Sequence, residues 1–185
     1  MSRNLITLFL LFFLLSNPCP AFCEDKTAGW NEVGLRMGLQ AGDKHGYFHL
    51  YEMFGVLGLP WDWRSSSGWG VAPQLEASVG TLHNEPDIIG FMGSVGTGLV
   101  LANPLFGLAP EIGINANLLD KRRFGDQDFG SILQLGAYMG LFYRFDCGLK
   151  IGYRLQHISN GHIFYSNSTP NPGLDMHLIG VGWTF

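Results

Sequence analysis

Apolar and polar residues alternate along most of this chain with a period of two. Between Leu133 and Phe145 every second residue is apolar, and the residues between them are polar, aromatic or glycine. Such alternation places one row of side chains on each face of a β-strand. It recurs in eight segments, at residues 31–40, 46–57, 68–80, 88–102, 108–118, 131–145, 147–158 and 175–185. No segment has the three- and four-residue spacing of a capped amphipathic helix, so the chain is predicted to be all-β.

Two of these segments leave open which row faces which side. In segment 46–57, the acidic Glu52 shares a row with four apolar residues, Phe48, Leu50, Phe54 and Val56. In segment 88–102, both rows consist largely of apolar residues and glycine. Alternation alone does not assign the faces of these two strands.

The other segments combine one apolar row with a row that carries small, polar or charged residues. The charges in these rows are Glu32, Arg36, Glu76, Glu111, Lys150 and Arg154. This predicts an eight-stranded antiparallel transmembrane β-barrel of the outer-membrane type, with apolar rows facing lipid and paired charges filling the lumen. A soluble β-sandwich or lipocalin-like barrel also alternates, but it needs a polar outer face. The terminal Trp183 and Phe185 suit an aromatic girdle at a membrane interface.

Composition agrees with a membrane location. The 185 residues are 46% hydrophobic and only 14% charged, with a net charge of −4. So few charges are unusual for a soluble domain, and an acidic chain offers no basic surface for nucleic acid. We therefore expect the protein in the bacterial outer membrane, without a nucleic-acid partner.

Residues 1–23 have the features of a signal peptide. Arg3 supplies the positive charge, an apolar run follows from Leu5 to Leu15, and Ala21 precedes a candidate cleavage site near Cys23. The apolar run is shorter than the roughly 20 residues that a membrane-spanning helix needs. Residues 24–185 are then predicted to form a single barrel domain.

Cysteine usage predicts no disulfide in that domain. Cys147 is its only cysteine, and we interpret it as a small buried or lipid-facing hydrophobic residue. A lipid-modified Cys23 is disfavoured because the bulky Phe22 precedes it.

The predicted topology gives each strand a direction. With both ends of the barrel in the periplasm, the seventh strand runs outward and ends at His157 on the cell-surface side. Short periplasmic turns are predicted at 103–107 and 146–148, and longer external loops at 119–130 and 161–174. Segment 58–67, which contains Trp61 and Trp63, is longer than a periplasmic turn is expected to be.

The last hairpin carries the candidate chemistry. The apolar row of its first strand continues into His157 and Ser159, and the apolar row of its second strand is preceded by Asp175 and His177. If Cys147 opposes Phe185, antiparallel pairing places His157 directly across from Asp175, with Cβ atoms about 5 Å apart. A carboxylate there can orient an imidazole whose other nitrogen accepts the proton of a serine hydroxyl. The alternative interpretation is that these polar residues simply begin an external loop.

The stretch from His157 to Gly161, His-Ile-Ser-Asn-Gly, and the stretch from Asn171 to Asp175, Asn-Pro-Gly-Leu-Asp, resemble the lipid A 3-O-deacylases of the PagL type. That family's pattern is His-x-Ser-Asn followed by Asn-x-Gly-x-acid. The resemblance implies an eight-stranded barrel in which Ser159 is the nucleophile, His157 the general base and Asp175 the orienting acid. The chain departs from the family in having aspartate where glutamate is expected, and in a longer loop between the two stretches.

Ester hydrolysis through a serine also needs donors for the developing oxyanion. We take Asn160 and the backbone amide of Gly161 as candidates, with Asn171 behind them, although asparagine and glycine are also ordinary turn formers. His162 and His177 have no cysteine pair or carboxylate cluster beside them in the sequence, so we expect no metal and no other cofactor.

The favoured function is therefore a serine esterase that removes an ester-linked acyl chain, at the 3-O position, from lipid A of lipopolysaccharide. A barrel phospholipase or acyltransferase would use similar residues on another substrate. A non-enzymatic structural or adhesive barrel is the alternative from another class. The expected partner is lipid A, and the sequence leaves open whether the protein forms a homodimer.

Overall fold

A computed structural model of the protein describes residues 28–42, 46–84, 88–103, 105–162 and 168–185. The predicted signal peptide, 1–23, lies outside these ranges. Eight long strands are present: β1 (Gly29–Gln40), β2 (Phe48–Gly58), β3 (Gly70–Asn84), β4 (Ile88–Ala102), β5 (Leu108–Leu119), β6 (Leu133–Arg144), β7 (Leu149–Ser159) and β8 (Leu174–Thr184). Two-residue strands occur at Trp63–Arg64, Arg123–Phe124 and Gln127–Asp128.

The eight strands form a closed antiparallel barrel. Each strand pairs with its neighbour in the sequence, and β1 pairs with β8 from Glu32 opposite Thr184 to Gln40 opposite Met176. Closure leaves no unpaired sheet edge, which a barrel in lipid requires. The predicted fold and number of strands are confirmed. Among the described residues, no helix is long and apolar enough to cross a membrane.

The outer face of the barrel is apolar, as the alternation predicted. Leu35, Ile114 and Met139 expose 67%, 63% and 62% of their surface there. The structure also assigns the ambiguous strand β2, whose Tyr51 and Met53 point outward while the row that contains Glu52 points inward. An unpaired carboxylate on a lipid-facing surface would be costly, whereas Glu52 finds a partner in the lumen.

The lumen holds a connected network of ion pairs. Glu76 accepts two hydrogen bonds from Arg36, at 3.0 and 3.1 Å, and two from Arg154, both at 2.8 Å. Arg36 also pairs with Glu52 at 2.9 Å, and Arg154 with Glu111 at 2.9 Å. Glu76 therefore joins strands β1, β3 and β7 through one carboxylate, and the predicted pairing of lumen charges is confirmed.

The two ends of the barrel differ. The end near the β5–β6 and β7–β8 loops, here called the loop end, is closed by three buried aromatic rings, Phe48, Phe124 and Phe129, whose centroids lie 5.7–6.1 Å apart. The opposite end, where Gly29 and Phe185 lie, is here called the terminal end and opens into a cavity of about 1350 Å³. The lumen is thus closed at the loop end and open at the terminal end.

Tryptophan marks the terminal end. All five tryptophans lie there and are exposed by 39–58%: Trp30, Trp61, Trp63, Trp69 and Trp183. The long segment 58–67 folds back on the barrel, because Trp63 and Arg64 pair with Val71 and Gly70. The segment thereby adds two exposed tryptophans, Trp61 and Trp63, to this end of the barrel.

Cys147 lies exposed in the turn between β6 and β7, ahead of the strand that was expected to include it. Of the two interpretations of this residue, buried or lipid-facing, the buried one is wrong. Gly148, at φ 91°, lets the turn close in two residues, which leaves Cys147 outside the ladder.

Replacing the central carboxylate should destabilise the whole barrel. In Glu76→Ala, the buried guanidinium groups of Arg36 and Arg154 each lose a bidentate partner, and we expect unfolding to become easier by about 3–5 kcal/mol. Urea unfolding of protein refolded in lipid vesicles measures the effect. The control is Arg122→Gln, which removes only an exposed contact of 3.8 Å to Asp128 and should change stability by less than about 1 kcal/mol. Equal unfolding midpoints for the two variants would contradict the role of Glu76.

Candidate active site

The register of the β7–β8 hairpin brings His157 and Asp175 together. The two residues are directly paired in the ladder, as predicted, and Leu155 pairs with His177 two residues further from the loop. His157 Nδ1 and Asp175 Oδ1 are 2.7 Å apart, and both side chains are 52% exposed on the outer face. The shorter acid of this chain therefore reaches the imidazole.

The contact between His157 and Asp175 determines which ring nitrogen of His157 is available to accept a proton. An Nδ1–H that donates to the carboxylate leaves Nε2 as the acceptor. The Cε1–Nε2 edge of the ring lies above Gly173, where an added Cβ would be 2.8 Å from Cε1 and 3.4 Å from Nε2. Gly173 has φ 62°, in the left-handed region. The site therefore needs glycine at this position, both for the backbone and for the space under the ring.

Ser159 is the last residue of β7 and is half-buried. It pairs with Leu135 of β6, and one step beyond the last β7–β8 pair, Ile158 with Leu174, the next positions hold Ser159 and Gly173. The accepting edge of the imidazole is thus on the side of the hairpin where the serine lies. The structure places no hydrogen bond between the two side chains, a contact that in other enzymes often tightens only when substrate binds.

Asn160, next to the serine, ties two loops together and is only 2% exposed. Its Nδ2 donates to the carbonyls of Phe129, at 2.9 Å, and Pro170, at 2.7 Å, while its Oδ1 accepts from the amide of His162. Its own amide donates to Asn171 Oδ1 at 3.0 Å. Both hydrogens of Nδ2 are used, so an oxyanion role for this side chain would require one bond to be exchanged.

The β5–β6 loop that supplies Phe129 is itself held by a short hairpin. Asp128 accepts hydrogen bonds from the Gly130 amide at 2.8 Å and from Arg123 at 2.9 Å. These bonds, that of Gly130 first, lower the pKa of the Asp128 carboxyl below its ordinary value. The loop behind Asn160 is therefore fixed by its own contacts.

Sequence reasoning missed three contributors to the site. Gly173 belonged to the recognised pattern, but its place beneath the imidazole depends on the fold. Phe129 and Pro170 contribute backbone carbonyls, which every residue has, so no sequence signal marks them. Their role follows only from the position of Asn160 between the two loops.

The two remaining histidines of the hairpin, His162 and His177, each contact one oxygen atom. His177 Nδ1 lies 2.6 Å from the Tyr153 hydroxyl, and His162 Nε2 lies 3.0 Å from the Thr169 carbonyl. Within the described ranges, no group of three or more histidine, cysteine, aspartate or glutamate side chains is placed to hold a metal ion.

Comparison with known proteins connects this geometry to one family. The family model described as "Lipid A 3-O-deacylase (PagL)" matches residues 46–184. The lipid A deacylase PagL of Bordetella bronchiseptica is 38% identical over 75 residues, which are 40% of this chain and 40% of that protein. The chain thus matches about two fifths of the length of this relative.

Solved structures support the architecture. The crystal structure of the outer membrane enzyme PagL matches with a TM-score of 0.70 and 19% identity, covering 83% of this chain and 99% of that one. Neisserial surface protein A matches with a TM-score of 0.50 and 15% identity, covering 86% and 100%. At such identities the likeness concerns the fold.

Removing the donors of Asn160 should loosen both loops without opening the barrel. Asn160→Asp keeps the shape of the side chain but not the two N–H groups, each of which contributes about 1 kcal/mol as a hydrogen bond. We expect faster proteolytic cleavage in 120–132 and 160–173, measured on folded protein in detergent. Asn31→Ala, at the terminal end, is the control and should leave cleavage unchanged. Unaltered cleavage in Asn160→Asp would show that the hydrogen bonds donated by Asn160 are not needed to hold the two loops.

Proposed function

The chain belongs to the lipid A 3-O-deacylase (PagL) family, and on this premise we propose that it is a serine esterase of the bacterial outer membrane. Its substrate is lipid A, from which it hydrolyses an ester-linked acyl chain at the 3-O position. The observation that carries the proposal is the hydrogen bond between His157 and Asp175 on the outer face of the barrel, next to Ser159.

The location of these residues suits an enzyme that takes its substrate from the membrane. They lie at the loop end of an apolar outer face, where polar groups are far less costly than at the middle of the bilayer. With the loop end in the outer leaflet, Ser159 lies near the interface of the leaflet that contains the proposed substrate. The closed loop end of the lumen leaves the outer face as the route of access.

In the proposed reaction, His157 Nε2 accepts the proton of the Ser159 hydroxyl as Oγ attacks the acyl carbonyl. The tetrahedral intermediate collapses when the sugar oxygen leaves with the proton from His157. Water, deprotonated by the same imidazole, then hydrolyses the acyl-serine. The products are a free fatty acid and lipid A with one acyl chain fewer.

Asp175 is assigned the orienting role. By accepting from Nδ1–H, its carboxylate keeps Nε2 free of a proton and stabilises the imidazolium that forms in each step. The residue is the counterpart of the family's glutamate, and the 2.7 Å contact supports an equivalent function for the shorter side chain.

For the oxyanion we assign the amide of Gly161 and Nδ2 of Asn171. Asn171 is oriented by Asn160, whose backbone N–H fixes Oδ1 of the Asn171 amide and leaves its Nδ2 as a donor. Asn160 then acts as a positioning residue, because its own side chain is engaged with Phe129 and Pro170.

Ser159→Ala should abolish deacylation, with a rate loss of at least about 10⁴-fold, as for other serine hydrolases without their nucleophile. Mass spectrometry of lipid A incubated with the purified barrel measures the lost acyl chain. Ser67→Ala, at the terminal end, is the matched control and should keep full activity. Undiminished release of fatty acid by Ser159→Ala would remove this serine from the mechanism, and release from phospholipids alone would indicate a barrel phospholipase.

Gly173→Ala should lower kcat while the barrel remains folded. The new Cβ would overlap the imidazole edge and push Nε2 away from Ser159, so we expect a loss of about 100-fold, the size attributed to a misplacement of about 1 Å. The control is Gly125→Ala, whose φ of 60° imposes the same backbone penalty although its Cβ would meet other atoms only at 3.4 Å. Equal kcat in the two variants would exclude the steric role of position 173.

A further inference from the structure

His162 has an unusual backbone conformation for a residue other than glycine. Its φ is 52°, and it follows Gly161, whose φ is 61°, so two successive residues just beyond Ser159 are left-handed. Side chains rarely occupy this region, although histidine does so more often than most. Such a conformation persists only where surrounding contacts hold it, and it is concentrated at functional sites. The contacts that hold His162 therefore bear on its role.

Two hydrogen bonds hold His162 in place. Its backbone N–H donates to Asn160 Oδ1 at 3.0 Å, and its ring Nε2 lies 3.0 Å from the Thr169 carbonyl oxygen. Because a carbonyl oxygen only accepts, Nε2 carries a hydrogen and donates it. Pro170, the residue after Thr169, accepts a hydrogen bond from Asn160 Nδ2 at 2.7 Å. The ring of His162 thus binds the same segment of the loop that the Asn160 side chain binds.

The backbone hydrogen bond of His162 encloses the residue Gly161. It joins two residues that are two positions apart, so it closes a small ring through Gly161, as in an Asx turn. The Gly161 N–H is not a partner in this bond. On the other side of Gly161, Asn160 is fixed by its own N–H, which donates to Asn171 Oδ1 at 3.0 Å. The peptide group that carries the Gly161 N–H is therefore held from both sides.

Glycine occupies every other left-handed position among the described residues. These positions are Gly42, Gly46, Gly68, Gly125, Gly130, Gly148, Gly161 and Gly173. Glycine meets a purely conformational requirement best, because it has no Cβ. At position 162, by contrast, the side chain makes a hydrogen bond to Thr169 that a glycine cannot make. This indicates that the imidazole, and not only the backbone shape, is needed there.

We propose that His162 is a positioning residue for the oxyanion site. The inference rests on the proposed function, in which the amide of Gly161 and Nδ2 of Asn171 stabilise the oxyanion. By fixing the peptide from the loop side, His162 keeps the Gly161 N–H directed at the acyl oxygen. Donors that are fixed before the reaction stabilise the developing charge without reorganisation. The ring acts through Thr169 and Asn160 and needs no contact with the substrate.

Two substitutions separate the ring from the backbone, with lipid A in detergent micelles as the substrate. His162→Gly accepts the left-handed conformation but removes the ring donor, and it should lower kcat about tenfold at unchanged KM. This is less than the roughly 10²–10³-fold loss on deleting an oxyanion donor, because the Gly161 amide is still present. His162→Gln keeps an N–H donor and should retain kcat within about threefold. Asp126→Gly, at an exposed turn of the β5–β6 loop, is the control and should change neither value.

A transition-state analogue measures the oxyanion site directly. With an alkyl trifluoromethyl ketone, Ser159 Oγ adds to the carbonyl carbon, its proton passes to His157 Nε2, and the carbonyl oxygen becomes the oxyanion. His162→Gly should weaken inhibition by the ketone about tenfold and leave inhibition by the fatty acid product unchanged, because only the adduct resembles the transition state. Wild-type kcat and ketone affinity in His162→Gly would overturn the positioning role, as would equal losses of affinity for ketone and fatty acid.

The proposed function can fail separately. If wild-type protein neither releases fatty acid from lipid A nor binds the ketone, the esterase assignment fails. NMR relaxation of the folded barrel in detergent still tests His162 in that case. The order parameter of the Gly161 N–H should be that of rigid backbone in the wild type, about 0.85, and should fall below about 0.6 in His162→Gly. Equal order parameters in the two proteins would refute the positioning role on its own.

Discussion

The structure depends on one constraint, which is that every backbone N–H and C=O group inside a bilayer needs a partner within the protein. Eight strands meet it by closing β8 onto β1. Closure separates the two rows of every strand, one toward lipid and one toward the lumen. Charges are then restricted to the lumen, where Glu76 joins Arg36 and Arg154, or to the rims. The same constraint makes polar groups on the outer face informative, because they have no structural purpose in hydrocarbon.

The candidate active site uses the barrel as a rigid frame. His157 and Asp175 belong to adjacent strands, so their contact is fixed by the ladder and not by a flexible loop. Ser159 lies just beyond the last pair of the β7–β8 ladder. The next residue, Asn160, is held in place because its side chain donates hydrogen bonds to one carbonyl of each neighbouring loop. The strand ladder and the two hydrogen bonds of the Asn160 side chain together hold the candidate site in place.

The two rims of the barrel are chemically different. The terminal end has an aromatic girdle and an open cavity, as expected of a passive anchor in the interface. The loop end has packed phenylalanines inside and imidazoles, hydroxyls and a lysine outside. Polar side chains on the outer face are therefore concentrated at the loop end, and the proposed function places the reaction on the outer surface of the barrel at this end.

Sequence alone determined what is local or periodic. Alternation predicted the eight strands and the lipid-facing rows, and counting back along the last hairpin placed His157 opposite Asp175, because antiparallel register needs only two strand ends. Tertiary structure decided whatever depends on residues far apart in the chain. The inward face of β2 follows from Arg36 attracting Glu52, and His177, Leu39 and His49 are neighbours across the sheet only because the barrel closes. The side chain of Asn160 donates its hydrogen bonds to backbone carbonyls, and these cannot be recognised in the sequence because every residue has one. Period-two patterning thus encodes which way a side chain points, whereas its neighbours across the sheet are set by closure and packing.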